Sequence, residues 1–435
     1  MSEESVALFA RRRKLLAAPW STRRRAVVSA GLSLALAVSA AYGGRAMWLE
    51  HHLSAAEQAA ERRDFASARN HLAPYLAAYP DSGPAHFLAA RNARRDGRPD
   101  EATAHLEACR QMHYRPQDVD LERVLLKVQR GEPFDDYLRE RVEHDDPDSV
   151  LILEVLADVY LRNYRLWDAL WSLDRYLELH PVEVKALIGR AFVWEKLNSF
   201  ADAESDYRRA LEIDPDNDTA RLRFADLLLN RRGTPDQAAT EYERLRARDE
   251  DSPAYLLGLA GCRRKAGRLG EARQLLATLL RRHPHYPGAL TEMGRVAQDD
   301  DKPAEAIDWL LQAIEAAPTD RVAYSTLLNC LRLTGREQEE RDCRAVLERL
   351  DADLKRIDEL TRAALGRPYD PDLRCELGIL FLRNGEEAEG RRWLGLALEQ
   401  DPAHKGAHRA LAEHFEAKGK PELAAPHRRF VPKEP

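Results

Sequence analysis

The sequence predicts an all-α fold: a right-handed superhelical solenoid of antiparallel helix pairs, preceded by one N-terminal transmembrane helix. Three observations lead there. Small residues recur about every 34 positions through most of the chain, which is the mark of a repeat array rather than of separate domains. Apolar residues make up 44% and charged residues 32% of the 435, as expected when many amphipathic helices are summed. A single charge-free stretch near the N-terminus is long enough to span a bilayer.

That stretch, Ala26 to Gly44, has 19 residues without a charge. As a helix rising about 1.5 Å per residue it covers roughly 28 Å of hydrocarbon. Leu32, Leu34 and Leu36 supply much of its partitioning, and Trp20 and Trp48 bracket it, where indole rings favour the interface. Residues 1–25 hold seven basic side chains against Glu3 and Glu4, a charge of +5 that leaves −11 for the remainder of a chain whose total is −6. The positive-inside rule then predicts a basic cytoplasmic tail at 1–25 and a body on the opposite, periplasmic or extracytoplasmic side. The competing expectation is a cleaved signal, because Val38-Ser39-Ala40 and Ser39-Ala40-Ala41 offer small-residue cleavage sites. An acidic body argues against nucleic acid as a partner.

The recurrence is clearest at Ala169, Ala203, Ala238, Ala272 and Ala306, at intervals of 34, 35, 34 and 34. Four residues after each comes a larger side chain, Leu173, Tyr207, Tyr242, Leu276 or Leu310, and then often a helix-stopping proline, as at Pro181, Pro215, Pro284 and Pro318. Ahead of the alanines lie stripes such as Leu187, Arg190, Ala191 and Trp194, or Leu290, Met293, Gly294 and Ala297. These are helix spacings. Alanine and glycine let helix backbones approach closely while large residues opposite fill the space. Ala68 with Leu72, and Ala102 with Leu106, extend the phase toward the N-terminus. Turn glycines Gly335, Gly385 and Gly419 are 50 and then 34 residues apart, so one unit is longer by 16.

The pattern resembles the tetratricopeptide repeat (TPR). Its best copies are Leu153, Leu156, Ala157, Tyr160, Ala169, Leu173 and Pro181, and Leu187, Ala191, Trp194, Ala203, Tyr207, Ala210 and Pro215. The resemblance implies nine to eleven units whose first helices line a concave face that holds a protein or peptide partner. It divides the chain into TPR-like units at 50–116, a degenerate unit at 117–147, regular units at 148–318, a unit with an elongated second helix at 319–370, and C-terminal units at 371–430. The elongation lies within Arg336 to Leu365, where Leu347, Leu350, Leu354, Ile357, Thr361 and Ala364 step by three and four. It is expected either to pack on the next unit or to project as an arm. Glu340 and Gly390 stand where the pattern has alanine.

No catalytic motif occurs, so neither catalytic residues nor a cofactor is expected. Asp214, Asp216 and Asp218 alternate like a calcium loop, but Thr219 and Ala225 occupy the positions that need glycine and a bidentate carboxylate. With Asp299 to Asp301 and the pair His283 and His285, they are expected to be turns and not metal sites. Trp167 and Trp171 are expected to pack in the core or to form an exposed patch. The five cysteines fall in predicted helices as packing residues, with Cys330 and Cys343 the only sequence-near pair. Placed on TPR geometry, the groove takes Glu154, Asp158, Phe192, Glu195 and Asp226 from earlier units. Arg264, Arg295, Asn329 and Arg332 from later units form the expected partner-binding wall, suited to a carboxylate-bearing segment or else paired with local acids. The carboxylate clamp of chaperone-binding relatives is not matched, since Ser325 precedes Asn329 by one turn. The expected function is a membrane-tethered scaffold or adaptor without catalysis; the alternatives are an exported soluble peptide- or glycan-binding protein and an accessory subunit of an enzyme.

Overall fold

The computed structural model describes residues 43–431 apart from residue 133. The expected span at 26–44 lies outside them except for Gly43 and Gly44, and no described helix is long and apolar enough to cross a membrane. The described residues form helices and connecting turns without strands. They fall into two compact units divided between Arg130 and Gly131.

The first unit holds α1 (running through 43–61), α2 (Phe65–Ala78), α3 (Gly83–Arg95), α4 (Pro99–Gln111) and α5 (Pro116–Gln129). The second begins with α6 (Asp135–Glu143), α7 (Ser149–Arg162), α8 (Leu166–Leu179), α9 (Val184–Lys196) and α10 (Phe200–Ile213). It continues through α11 (Asp218–Leu227), which ends in a π-turn at Leu228–Arg232, then α12 (Pro235–Arg246), α13 (Pro253–Lys265) and α14 (Leu269–Arg282). After these come α15 (Pro287–Asp299), α16 (Pro303–Ala316), α17 (Arg321–Leu333) and the 30-residue α18 (Glu337–Gly366). The last are α19 (Pro371–Arg383), α20 (Glu387–Gln400), α21 (Lys405–Ala417) and α22 (Pro421–Arg428).

The recurring alanines sit at the closest helix approaches. Ala68, Ala102, Ala169, Ala203, Ala238, Ala272 and Ala306 are all completely buried, and so are Tyr207, Leu276 and Leu310 beyond them. Where Gly390 replaces alanine the helices come closer still: a Cβ there would stand 2.9 Å from the Gly378 carbonyl oxygen, and one on Gly378 3.0 Å from that of Gly390. Left-handed backbone recurs in the turns at Arg63, Gly97, Gly131, Tyr164, Asn198, Gly233, Gly267, Asp301, Gly335, Gly385 and Gly419. This spacing keeps the repeat in phase through the degenerate stretch at 117–147, where Gly131 supplies the turn.

Consecutive first helices lie against each other, α13 on α15, α15 on α17 and α19 on α21. The stack therefore curves with first helices on its inner face. Helix α18 packs along the next pair: Leu360 and Ala364 join Leu373, Leu377 and Leu380, and the buried Asp353 accepts hydrogen bonds from Arg383 and Asn384.

One packing position changes character along the chain. Residues 19 apart on the two helices of a pair are apolar in inner repeats, as with Leu256 and Leu275 or Leu290 and Trp309. At three outer positions they are histidines joined Nδ1 to Nδ1: His52 with His71 at 3.0 Å, His86 with His105 at 2.9 Å, and His408 with His427 at 2.9 Å. The Nε2 atoms of His86 and His408 donate to the carbonyls of Pro80 and Pro402. Their Nδ1 atoms are therefore the acceptors in the neutral pairs.

Candidate functional site

On the inner face of the second unit, α11, α13 and α15 and the start of α17 enclose a groove of about 410 Å³. Its floor owes its shape to two local departures from a regular helix. The interval from Ala203 to Ala238 is one residue longer than 34, and the extra residue is absorbed as the π-turn after α11, the usual way a helix accommodates an insertion. This leaves the Leu229 carbonyl free to accept a 2.6 Å hydrogen bond from Lys265 Nζ. The second departure is glycine. A Cβ at Gly258 would stand 2.3 Å from the Tyr242 ring and one at Gly288 would meet Leu257 at 2.8 Å, so side chains from neighbouring helices pack over bare backbone.

The polar groups of the groove are already organised. Tyr242, 1% exposed, donates its hydroxyl to Asp226. Loss of solvent at Asp226 holds its carboxyl above the ordinary range, against that hydrogen bond. Glu292 is buried and accepts from Arg264 Nε at 2.6 Å and from Arg295 Nη1 at 2.9 Å. Arg264 also reaches Asp299 at 2.8 Å. Burial opposes its charge, but the two carboxylates outweigh burial and raise its pKa. Lys265 is held below its ordinary value by lost solvation and by Arg264 and Arg295.

Of the four residues expected on the binding wall, Arg264 and Arg295 line this groove, while Asn329 and Arg332 are not among its lining residues. For Arg264 the structure shows the alternative, pairing with local acids: its side chain is 9% exposed and paired twice. It is a structural cation because Glu292 and Asp299 belong to the adjoining helix α15 and turn toward it. Arg295 is one-third exposed, Arg332 is 58% exposed with Glu340 3.6 Å away, and Asn329 is exposed. Sequence reading placed Asp226 on this face but missed Lys265 and Glu292. The 35-residue interval was the available signal for the π-turn carbonyl that holds Lys265.

Asp216 and Asp218 pair with Arg248, and Asp300 with Lys302. No group of three or more potential metal ligands occurs among the described residues. Trp167 is 58% exposed, whereas Trp171 lies 4.3 Å beneath the Arg139 guanidinium. All five cysteines are buried free thiols, and burial pushes those of Cys109 and Cys375 up to about 11 and Cys262 to about 12.

Comparison with known proteins follows the same period. Tetratricopeptide-repeat family models match residues 154–218, 196–262, 229–287 and 263–329. Residues 154–329 carry tetratricopeptide repeats. It is 34% identical over 71 residues to sperm-associated antigen 1 of Rattus norvegicus, covering 16% of this chain and 8% of that protein. It is 25% identical over 164 residues to a TPR repeat-containing protein of Pseudomonas aeruginosa, covering 38% of this chain and 28% of the relative. The chain thus spans well under half the length of the curated relatives it matches. A crystal structure of a tetratricopeptide repeat protein from Parabacteroides merdae is similar with a TM-score of 0.45 and 16% identity, over 66% of this chain and 99% of that one.

Proposed function

We propose that the chain is a membrane-tethered TPR scaffold that holds an extended segment of a partner protein against its inner face and performs no chemistry of its own. The observation that carries this is the groove, a floor of glycine backbone and apolar side chains flanked by charged groups held in place by their neighbours. Such a site is preorganised, so little ordering entropy is lost when a peptide docks. Arg295, with Asn329 and Arg332 farther along the same helix series, is the proposed contact for carboxylates of the partner; Arg264 positions the wall through Glu292. The tether is Ala26 to Gly44, supported by its apolar length, its flanking tryptophans and the basic residues before it. The body then lies on the extracytoplasmic side.

Crosslinking the full chain in its own cells and recovering what is bound tests the binding reading. The Arg295→Glu, Arg332→Glu double variant should lose the partner while helicity holds. Capture undiminished by the double variant would move the site off this wall. A reporter fused at Pro435 that cytoplasmic protease digests, or a mature mass lacking the first 40 or so residues, would refute the tether.

A further inference from the structure

Four consecutive residues at the turn between α7 and α8 touch the pair α19–α20 or the turn that precedes it, more than 200 positions later. The Arg162 carbonyl accepts from Arg392 Nη1 at 3.3 Å. Asn163 Oδ1 accepts from Arg374 Nη2 at 3.3 Å. Tyr164 packs on Trp393, ring centroids 5.3 Å apart, at the edge of the Leu360–Leu396 core cluster. Arg165 binds the Tyr369 hydroxyl and lies 5.3 Å over its ring. Within the second unit, the first complete helix pair and the seventh therefore meet, and the stack closes on itself.

Three features mark this seam as a built contact. Tyr164 occupies a turn position that is glycine in seven other turns, asparagine or aspartate in two and arginine in one, and among the described residues it is the one aromatic residue there, at φ +59°. A bulky residue there carries backbone strain, offset here by the ring's packing on Trp393. Arg374 is fully buried and makes no direct ion pair among the described residues, Glu399 acting on it only at longer range; its guanidinium is held by the Leu396 carbonyl at 2.8 Å, by Asn163 and by the Tyr369 ring, and its Nε is without a hydrogen-bond partner. Removing Asn163 would strip one of its few acceptors. Finally, the 16 extra residues of α18 correspond to about 24 Å of helix, which displaces α19–α20 along α18 relative to a regular next repeat.

We propose that residues 162–165 form a latch that closes the second unit into a ring, and that release of the latch, without unfolding of the repeats, widens the inner face to admit a folded partner. The second half of the proposal rests on the inner face being the binding face. A segment with a free end can enter the closed ring; a folded domain requires it open.

The test uses the full chain with spin labels on Glu178→Cys and Arg391→Cys, both exposed positions, against a background of buried native thiols. The parent should give one narrow distance distribution. Tyr164→Gly, which suits the left-handed turn but removes the ring, should broaden and lengthen it with helicity unchanged, and Tyr164→Phe should match the parent. If Tyr164→Gly loses helicity, Arg392→Ala tests the seam through a single side chain and should shift the distribution the same way by less. A broad distribution in the parent, or one unmoved by these variants at full helicity, overturns the latch. Admission is read at Asn329→Cys on the inner face: reaction with a maleimide borne on a folded protein, relative to a small maleimide, should rise several-fold in Tyr164→Gly and not in Tyr164→Phe. An unchanged ratio overturns the gating half. Neither readout depends on partner capture, so failure of the latch and failure of the binding reading are separable.

Discussion

Replacing Gly258 by alanine tests whether helix–helix approach, rather than helix propensity, governs stability around the groove. Propensity alone favours the change by about 0.8–1 kcal/mol in a helix interior. Packing opposes it more strongly. The new methyl would stand 2.3 Å from two atoms of the Tyr242 ring, and that ring is pinned by its hydroxyl bond to Asp226 and by the surrounding core cluster. Overpacking of this kind costs about 1–3 kcal/mol, and a contact far inside van der Waals distance belongs at the upper end. The net expectation is a loss of about 2 kcal/mol, or roughly thirtyfold more frequent local opening. Gly270→Ala in the next helix is the matched control, because nothing lies within 4 Å of a Cβ there; it should be neutral or stabilising by a few tenths of a kcal/mol. Amide hydrogen exchange on the full chain reads both, since repeats couple mainly to neighbours and the loss should centre on α12 and α13. Gly258→Ala with parental protection in those helices would refute the packing argument, and so would protection lost evenly across the second unit.

Arg264→Met should destabilise the α13–α15 contact by about 3 kcal/mol, because the buried Glu292 keeps only Arg295, whereas Arg332→Ala should change stability by less than about 0.5 kcal/mol; denaturant titration with exchange readout separates them. Burial first and then the neighbouring histidine hold His105 and His427 below their ordinary value of 6.5. Because the folded pKa is depressed, the unfolded chain binds more protons as pH falls below about 6.5. Protection of α3–α4 and α21–α22 should therefore decline on acidification, with Arg98 and Glu101 modulating the first site; His105→Leu should remove that dependence at the first pair, and His427→Leu should reduce it at the second, where His414 is also held low by burial. Alkylation of the five thiols should be slow in the native chain and complete after denaturation, since raised pKa and burial both suppress the thiolate; fast native labelling of any of the five would contradict their placement.

The sequence by itself determined the repeat. An alanine at each closest approach and a large residue one turn on are local requirements of two helices packing, so they recur with the period of the helix pair and can be seen without coordinates. The same is true of the extra length in α18, which is a difference between turn spacings. The degenerate stretch was harder because its alanine signature is missing, although Gly131 kept the turn in phase. What the tertiary structure alone decided is which charges remain available and where the stack returns. Arg264 looked like a groove cation because its partners, Glu292 and Asp299, lie 28 and 35 residues away on the next first helix, and only stacking turns them toward it. Arg162 to Arg165 meet α19–α20 and the turn before them across separations of 204 to 230 residues, a register set by the accumulated curvature of six repeat steps and one lengthened helix. Each step adds a small rotation that depends on side-chain volumes at its interface, and no local pattern records their sum.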